Sequence, residues 1–347
     1  MPQILTVATG VPQYRHSQME IHDRWLAPFI KTNHARTIFA VAEIDSRYSV
    51  LADSSFLNDE PTTQARNDHY METGRPLAAQ VIKQALAQAK LVSSDIDHFI
   101  VISCTGLECP GLDVILAKDL GMRPNLRRTA LIGMGCYAGI TGLDRAMLEV
   151  VARPQSRVLI LAIELCTLHF QHGRKIENLV AGALFGDGIG AVIVGSARAD
   201  ASLPTIIDTM TYTDNNAQDL MGVHLSDKGF QIRLATRVPK VLRDLVADLV
   251  TDFLHQVGLK KNNIRFWGIH PGGAKIVDYI EQSLNLQPQD LEYSRRVLRQ
   301  YGNMSAATIF FVLADIMEHG QPQPGDYALL LAFGPGLTVE QSLLQWS

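Results

Sequence analysis

The feature that most constrains this chain is a spacing that occurs twice. An apolar run, HFIVIS, ends at Ser103, a glycine-rich segment brings in Cys136, and a second apolar run, RVLILAIEL, follows at 157–165. In the second half FWGIH ends at His270, Asn303 follows, and YALLLAF comes next at 327–333. Ser103 to Cys136 and His270 to Asn303 are both 33 residues. These runs, with GAVIVG at 190–195, read as strands buried on both faces. Between them MEIHDRWLAPFIK, RPLAAQVIKQALAQAKL, GITGLDRAMLEVV, RVPKVLRDLVADLVTDFLHQV and SAATIFFVLADIMEH carry apolar residues every three to four positions, as helices do. The class is therefore α/β, and an internal duplication predicts five layers in which helices and sheets alternate around a shared central pair of helices. The halves are placed at 1–200, carrying the cysteine, and 201–347, carrying the histidine and asparagine.

Composition narrows the function. With 47% apolar and 19% charged residues over 347 positions, the chain can bury a large core. The N-terminus lacks a basic start followed by an apolar stretch, and no run of 18 uninterrupted apolar residues occurs, so a cytoplasmic protein without a membrane span is expected. A net charge of −4 and no basic run longer than Lys260–Lys261 leave no footprint for nucleic acid. The four cysteines, 104, 109, 136 and 166, read as free thiols, and their spacing does not suit zinc. Small-molecule chemistry is expected.

In α/β sheets, ligands gather beyond the carboxyl ends of strands and at helix N-termini, where Cys136, His270 and Asn303 are expected. A helix N-terminus and an adjacent imidazolium lower a thiol's pKa from about 8.5 into the range of roughly 3.5–7.5. Each residue also has a plainer reading: Cys136 as a small buried apolar group, His270 as a loop residue before Pro271, Asn303 as a helix cap, FGPG at 333–336 as a turn. Together they make a nucleophile, a base or donor, and an oxyanion stabiliser.

The blocks GCYAGITGL around Cys136, ALFGDGIGAVIVG at 183–195, IHPGGAKIVD at 269–278, YGNMSAATIFFVL at 301–313 and AFGPGLTVE at 332–340 resemble the signatures of type III polyketide synthases, the chalcone synthase superfamily. The resemblance implies a thiolase-type αβαβα fold and a homodimer using malonyl-CoA and a starter acyl-CoA as substrates, with no cofactor and no metal. It implies that Cys136 carries the acyl group, that His270 holds it as a thiolate, and that His270 and Asn303 stabilise the enolate from malonyl-CoA. Phe185 matches the family's gating aromatic, and Ile232 falls at the second gating position. Cys104, Thr105, Cys109, Cys166, Leu168 and His169 match pocket positions, with inert packing as the alternative for the thiols. Cys104 and Cys166 resemble malonyl-primed naphthalene- and phloroglucinol-forming enzymes, whereas ELCTLHF resembles alkylpyrone and alkylresorcinol synthases that take fatty acyl starters. The fatty acyl reading is preferred here, with the malonyl-primed enzyme as its rival. A β-ketoacyl carrier-protein synthase of the initiating type and an inactive acyl-CoA-binding homologue are the remaining alternatives.

Four further features bear on the site. FGDGIG runs into a strand-like segment and lacks GxGxxG spacing, which argues against a dinucleotide site. His169 and His172 have no third ligand at metal spacing. Only Lys31 and Arg36 stand near the family's CoA-phosphate position, without aligning to it, so no phosphate ligand is assigned. Ala332, where the family has glycine, is expected to narrow the cavity floor.

Overall fold

The computed structural model describes residues 1–30, 32–197 and 203–347. Among them are thirteen strands. β1 (Pro2–Gly10), β2 (Tyr14–Ser17), β3 (Ser46–Ser49), β4 (His98–Ser103), β5 (Arg127–Ile132), β6 (Val158–Leu165) and β7 (Asp187–Ser196) belong to the first half. β8 (Pro204–Thr213), β9 (Met221–Ser226), β10 (Gly229–Leu234), β11 (Ile264–Ile269), β12 (Tyr327–Gly334) and β13 (Thr338–Trp346) belong to the second.

The duplication is visible in strand pairing. The first sheet runs β5-β4-β6-β7-β1 and the second β11-β12-β13-β8. In each, one parallel pair (β4 with β6, β11 with β12) is followed by two antiparallel ones (β6 with β7 and β7 with β1; β12 with β13 and β13 with β8). The first sheet adds β5 at its edge, parallel to β4. The two sheets touch edge to edge at Gln3 and Thr205.

Strand alternation assigns each side chain to a layer. On β4 and β6, Ile100, Ile102, Ile160 and Ala162 face the middle of the molecule, while Phe99, Val101, Leu159 and Leu161 face the Thr63–Ala89 helix outside. On β12, Ala328 and Leu330 face the middle, and Leu329 and Leu331 face the outer Val238–Gln256 and Ala274–Leu284 helices. The middle layer is the pair Ala138–Ala152 and Thr308–His319. Five layers result.

That pair lies between two sheets, so most of its residues are apolar, although Arg145, Leu148 and Val151 of the first helix reach solvent. Ile309, Phe310, Phe311, Val312 and Leu313 are all buried. The helices cross closely at Gly139, where a Cβ would stand 2.5 Å from Ile309 Cγ2 and 2.7 Å from the Ala306 carbonyl oxygen.

Three expectations change. The helix expected over MEIHDRWLAPFIK is a short turn, Gln18–Glu20, continued by a π-helical stretch, Ile21–Leu26. The helix expected from Arg75 starts at Thr63, capped by the Thr62 hydroxyl on Ala65 N at 3.2 Å, and passes through the exposed Pro76. Cys136 and Asn303 lie in the loops before the central helices, which begin at Ala138 and, after a 3-10 turn at Ser305–Ala307, at Thr308.

Gly139→Ala tests the central crossing. Helix propensity alone favours alanine by about 1 kcal/mol, whereas overpacking costs about 1–3 kcal/mol. Because one of the obstructing atoms is backbone, a lower urea midpoint is expected, and a raised one would contradict the close crossing.

Candidate active site

The three residues singled out by the repeat line one cavity. Cys136 reaches it from the loop after β5, His270 from the residue following β11, and Asn303 from a loop that makes a one-residue parallel bridge to Phe185. Asn303 N–H donates to Leu184 O at 2.9 Å and Gly186 N–H to Asn303 O at 3.0 Å, which holds the asparagine in place from both sides.

The side-chain geometry sets what each group can do. The Asn303 carboxamide and the Ser305 hydroxyl lie 3.9 Å from Cys136 Sγ. Asn303 Oδ1 accepts from Ser305 N–H at 2.8 Å and its Nδ2 donates to Gly272 O at 3.4 Å, while both amide atoms stand 3.9 Å from the sulfur. The cap reading and the catalytic reading of Asn303 are thus compatible. His270 is 1% exposed and neither ring nitrogen has a hydrogen-bond partner among the described residues. An imidazole left unsatisfied on a cavity wall is costly to the fold and available to a substrate.

Burial dominates the electrostatics. It pushes the Cys136 thiol up to about 11, with a nearby Glu164 charge adding to the rise against hydrogen bonds from Ser305 and Asn303. It pushes the His270 imidazole down to about 3. Desolvation thus works against the helix-end argument for a thiolate and disfavours the charged form of both groups. Cys104 and Cys166 are raised for the same first reason and also line the cavity. All four cysteines are free.

Glu164 is a residue that the sequence reading did not single out. It is fully buried on β6, and its Oε2 accepts from Cys104 N–H at 3.0 Å and Thr105 Oγ1–H at 2.7 Å. Burial raises its carboxyl to about 7. A lone glutamate within a strand-like run has no periodic signature, and only the fold places it behind the Cys104–Thr105 loop. Ser305, Thr167 and the hairpin residues Met221, Val223, Phe230 and Leu234 also join the lining unannounced.

The expected pocket residues divide. Cys104, Thr105, Cys166, His169, Phe185 and Ile232 line the cavity. Leu168 does not: within the 3-10 turn Cys166–His169 it is turned into the outer core while its neighbours face the cavity. Cys109 is exposed on the loop after β4, and Ala332 packs in the central layer, because on β12 its neighbour Phe333 takes the cavity side. His169 spends both ring nitrogens on backbone partners and His172 stacks on Phe29. Arg36 pairs with Asp23, and Lys31 lies outside the described residues.

The cavity measures about 1180 Å³ including its open mouth, and no Lys, Arg, Asp or Glu appears among its lining residues. Among the described residues, no group of three or more His, Cys, Asp or Glu is placed to hold a metal ion, and no helix is long and apolar enough to cross a membrane.

Residues 3–198 match the family described as chalcone and stilbene synthases, N-terminal domain, and residues 208–346 match its C-terminal domain. A 1,3,6,8-tetrahydroxynaphthalene synthase of Streptomyces peucetius subsp. caesius is 32% identical, the alignment covering 99% of this chain and 93% of that one. The alpha-pyrone synthesis polyketide synthase-like Pks18 of Mycobacterium tuberculosis is 29% identical over 97% of this chain and 89% of its own. The crystal structure of 1,3,6,8-tetrahydroxynaphthalene synthase from Streptomyces coelicolor A3(2) superposes with a TM-score of 0.94 at 28% identity, covering 99% of each chain. That of PKS-I from the brown alga Ectocarpus siliculosus superposes at 0.93 and 28%, covering 100% of this chain and 98% of that one.

The pH dependence of stability follows from the histidine shift. A pKa held below 6.5 in the fold means that the unfolded chain takes up the proton first, so stability is full above about pH 6.5 and is lost as pH falls toward 3. His270→Gln is expected to flatten this acid limb in thermal melts from pH 7 to pH 4; an unchanged slope would show that His270 is not buried as a neutral ring.

Proposed function

The chain belongs to the chalcone and stilbene synthase family of type III polyketide synthases, acyl-transferring condensing enzymes that use coenzyme A thioesters, and from that premise we propose that it extends a fatty acyl starter with malonyl-CoA. The observation that carries this reading is the convergence of Cys136, His270 and Asn303 on one cavity without a charged lining residue.

The starter thioester enters, His270 takes the Cys136 proton, and the sulfur attacks the acyl carbon. Coenzyme A leaves as the thiol with the proton from His270, and the acyl group remains on Cys136. Malonyl-CoA then loses carbon dioxide, and the electron pair of the broken bond becomes an enolate whose oxygen is met by His270 and the Asn303 Nδ2 donor. A carboxylate in a cavity with no cation is poorly solvated, so departure as neutral carbon dioxide is favoured. The enolate carbon attacks the Cys136 thioester and displaces the thiolate. Repeated rounds give a linear polyketide, which closes to an alkylpyrone or alkylresorcinol. Phe185 and Ile232 are assigned the gate.

An apolar lining favours a long acyl chain by about 0.8 kcal/mol per buried methylene. The second reading, a malonyl-primed enzyme, draws on the cavity thiols Cys104 and Cys166 and on the tetrahydroxynaphthalene synthase relative. The division of the chain at residue 200 and a cytoplasmic location are part of the proposal. So is a homodimer through β5, a sheet edge whose Ile132 is exposed, as are Leu148 and Val151 of the following helix.

Lauroyl-CoA with malonyl-CoA is expected to give an alkyl pyrone or resorcinol by mass spectrometry. An aromatic product from malonyl-CoA alone would replace the fatty acyl reading with the malonyl-primed one. Asn303→Asp puts a negative charge where the enolate develops; a fall of about 10²–10³-fold in decarboxylation is expected while acylation of Cys136 survives, and normal decarboxylation would remove Asn303 from this role. Leu148→Asp with Val151→Asp is expected to shift the chain from dimer to monomer in light scattering.

A further inference from the structure

The antiparallel hairpin β9–β10 pairs only within itself and is not part of either large sheet. It nevertheless supplies Met221, Gly222, Val223, Phe230, Ile232 and Leu234 to the cavity, which makes it the roof. A roof of two strands is only marginally stable by itself, so what fastens it decides the space beneath.

The fastenings gather at the hairpin tip. From outside the cavity, Thr63 at the start of the long outer helix bonds it three times: Thr63 N–H donates to Asp227 O at 2.8 Å, its hydroxyl donates to Ser226 O, and Gly229 N–H donates to Thr63 Oγ1 at 2.7 Å. Gln171 Nε2 adds a bond to Lys228 O at 2.9 Å, and Lys228 pairs with Glu60. On the cavity side there is His169. Its Nδ1 accepts from Phe230 N–H at 3.2 Å, its Nε2–H donates to Thr105 O at 2.8 Å, and its ring stacks on Phe230 with centroids 4.4 Å apart.

His169 therefore joins three cavity-lining segments: the loop after β4, the 3-10 turn after β6, and the hairpin. An imidazole accepts at one nitrogen while donating at the other only when neutral. Burial, aided by the Arg66 guanidinium, holds it so by lowering its pKa to about 4. Arg66 is itself buried and donates to the carbonyls of Leu168 and Phe170, on either side of His169. The tip fits this arrangement only through Gly229, at φ +93°, where a Cβ would stand 2.7 Å from Arg66 Cδ and 2.9 Å from His169 Nδ1. With both nitrogens committed to backbone, His169 offers the cavity no acid, base or hydrogen bond, only a ring held in position.

We propose that His169 is a positioning residue for chain-length specificity: it latches the β9–β10 hairpin over the cavity, and the height of that latched roof limits the acyl chain accepted. This rests on the reading of the cavity as the acyl site and adds to it the element that sets its depth.

Two variants test the latch from opposite sides. His169→Phe keeps an aromatic ring against Phe230 and removes both hydrogen bonds. Thr63→Ala loosens the same tip from a residue outside the cavity and is expected to leave malonyl-CoA decarboxylation unchanged. In both, amide exchange across Phe230–Leu234 is expected to accelerate roughly two- to tenfold, the worth of one net hydrogen bond. The ratio of kcat/KM for stearoyl-CoA to that for butyryl-CoA is expected to rise by a similar factor, mainly through KM for the longer starter. Faster exchange with an unchanged ratio would overturn the specificity role, and unchanged exchange would overturn the latch. Should His169→Phe not fold, His169→Leu, which also removes both hydrogen bonds, takes its place, and Thr63→Ala reports on the roof alone. A wild-type chain that condenses no acyl-CoA at all would strike the proposed function, whereas normal wild-type condensation with unaltered variants would strike only this inference.

Discussion

The structure depends on the burial of two apolar helices between two sheets. Ala138–Ala152 and Thr308–His319 carry most of their apolar residues inside, so each must satisfy a sheet on one flank, the other sheet on the opposite flank, and its partner helix between, while Arg145, Leu148 and Val151 of the first and Glu318 and His319 at the end of the second reach solvent. Gly139 lets them approach until side-chain and backbone atoms of the second helix leave no room for a Cβ. Since both helices start at the same end of the sandwich, the loops leading into them must meet there. Cys136 and Asn303, far apart in sequence, become neighbours because the middle layer admits one arrangement.

That same burial sets the chemistry of the site. Scarcity of water disfavours the charged form of both the sulfur and the imidazole. In the proposed reaction, negative charge arising on the sulfur and then on the enolate would be met by donors already fixed in place. Asn303 is held for such a role by its bonds to Ser305 N–H and Gly272 O, which fix the carboxamide beside the Cys136 sulfur. The desolvation that makes His270 costly to the folded state is also what makes a hydrogen bond from it strong.

Away from the reacting atoms, the cavity is shaped by parts of the chain with little regular structure of their own. The β9–β10 hairpin and the Cys166–His169 turn supply much of the wall, and buried polar groups brace the wall from behind: Glu164 on the Cys104–Thr105 loop, Asp187 on Thr167, Arg47 on the Phe185 carbonyl, Arg66 on Leu168 and Phe170. Each satisfies backbone or hydroxyl groups that a loop inside the protein would otherwise leave unpaired. Rigidity of the site is thus built from polar bracing rather than from the sheets alone.

The sequence by itself determined the class, the duplication and the choice of Cys136, His270 and Asn303 as residues that meet in one cavity, because these are written in local patterns: apolar runs of strand length, helical periodicity, and a 33-residue interval repeated in each half. It also carried the family signatures from residue 100 onward. Tertiary structure alone decided which way side chains near the site turn. Leu168 and Ala332 point into cores and Cys109 to solvent, while Thr167, Ser305 and the hairpin face the cavity. It also decided how strongly the surroundings of Cys136 and His270 oppose charge, since only the packed surroundings reveal how thoroughly water is excluded. Orientation and desolvation are sums over contacts from distant segments, and a linear pattern does not contain them.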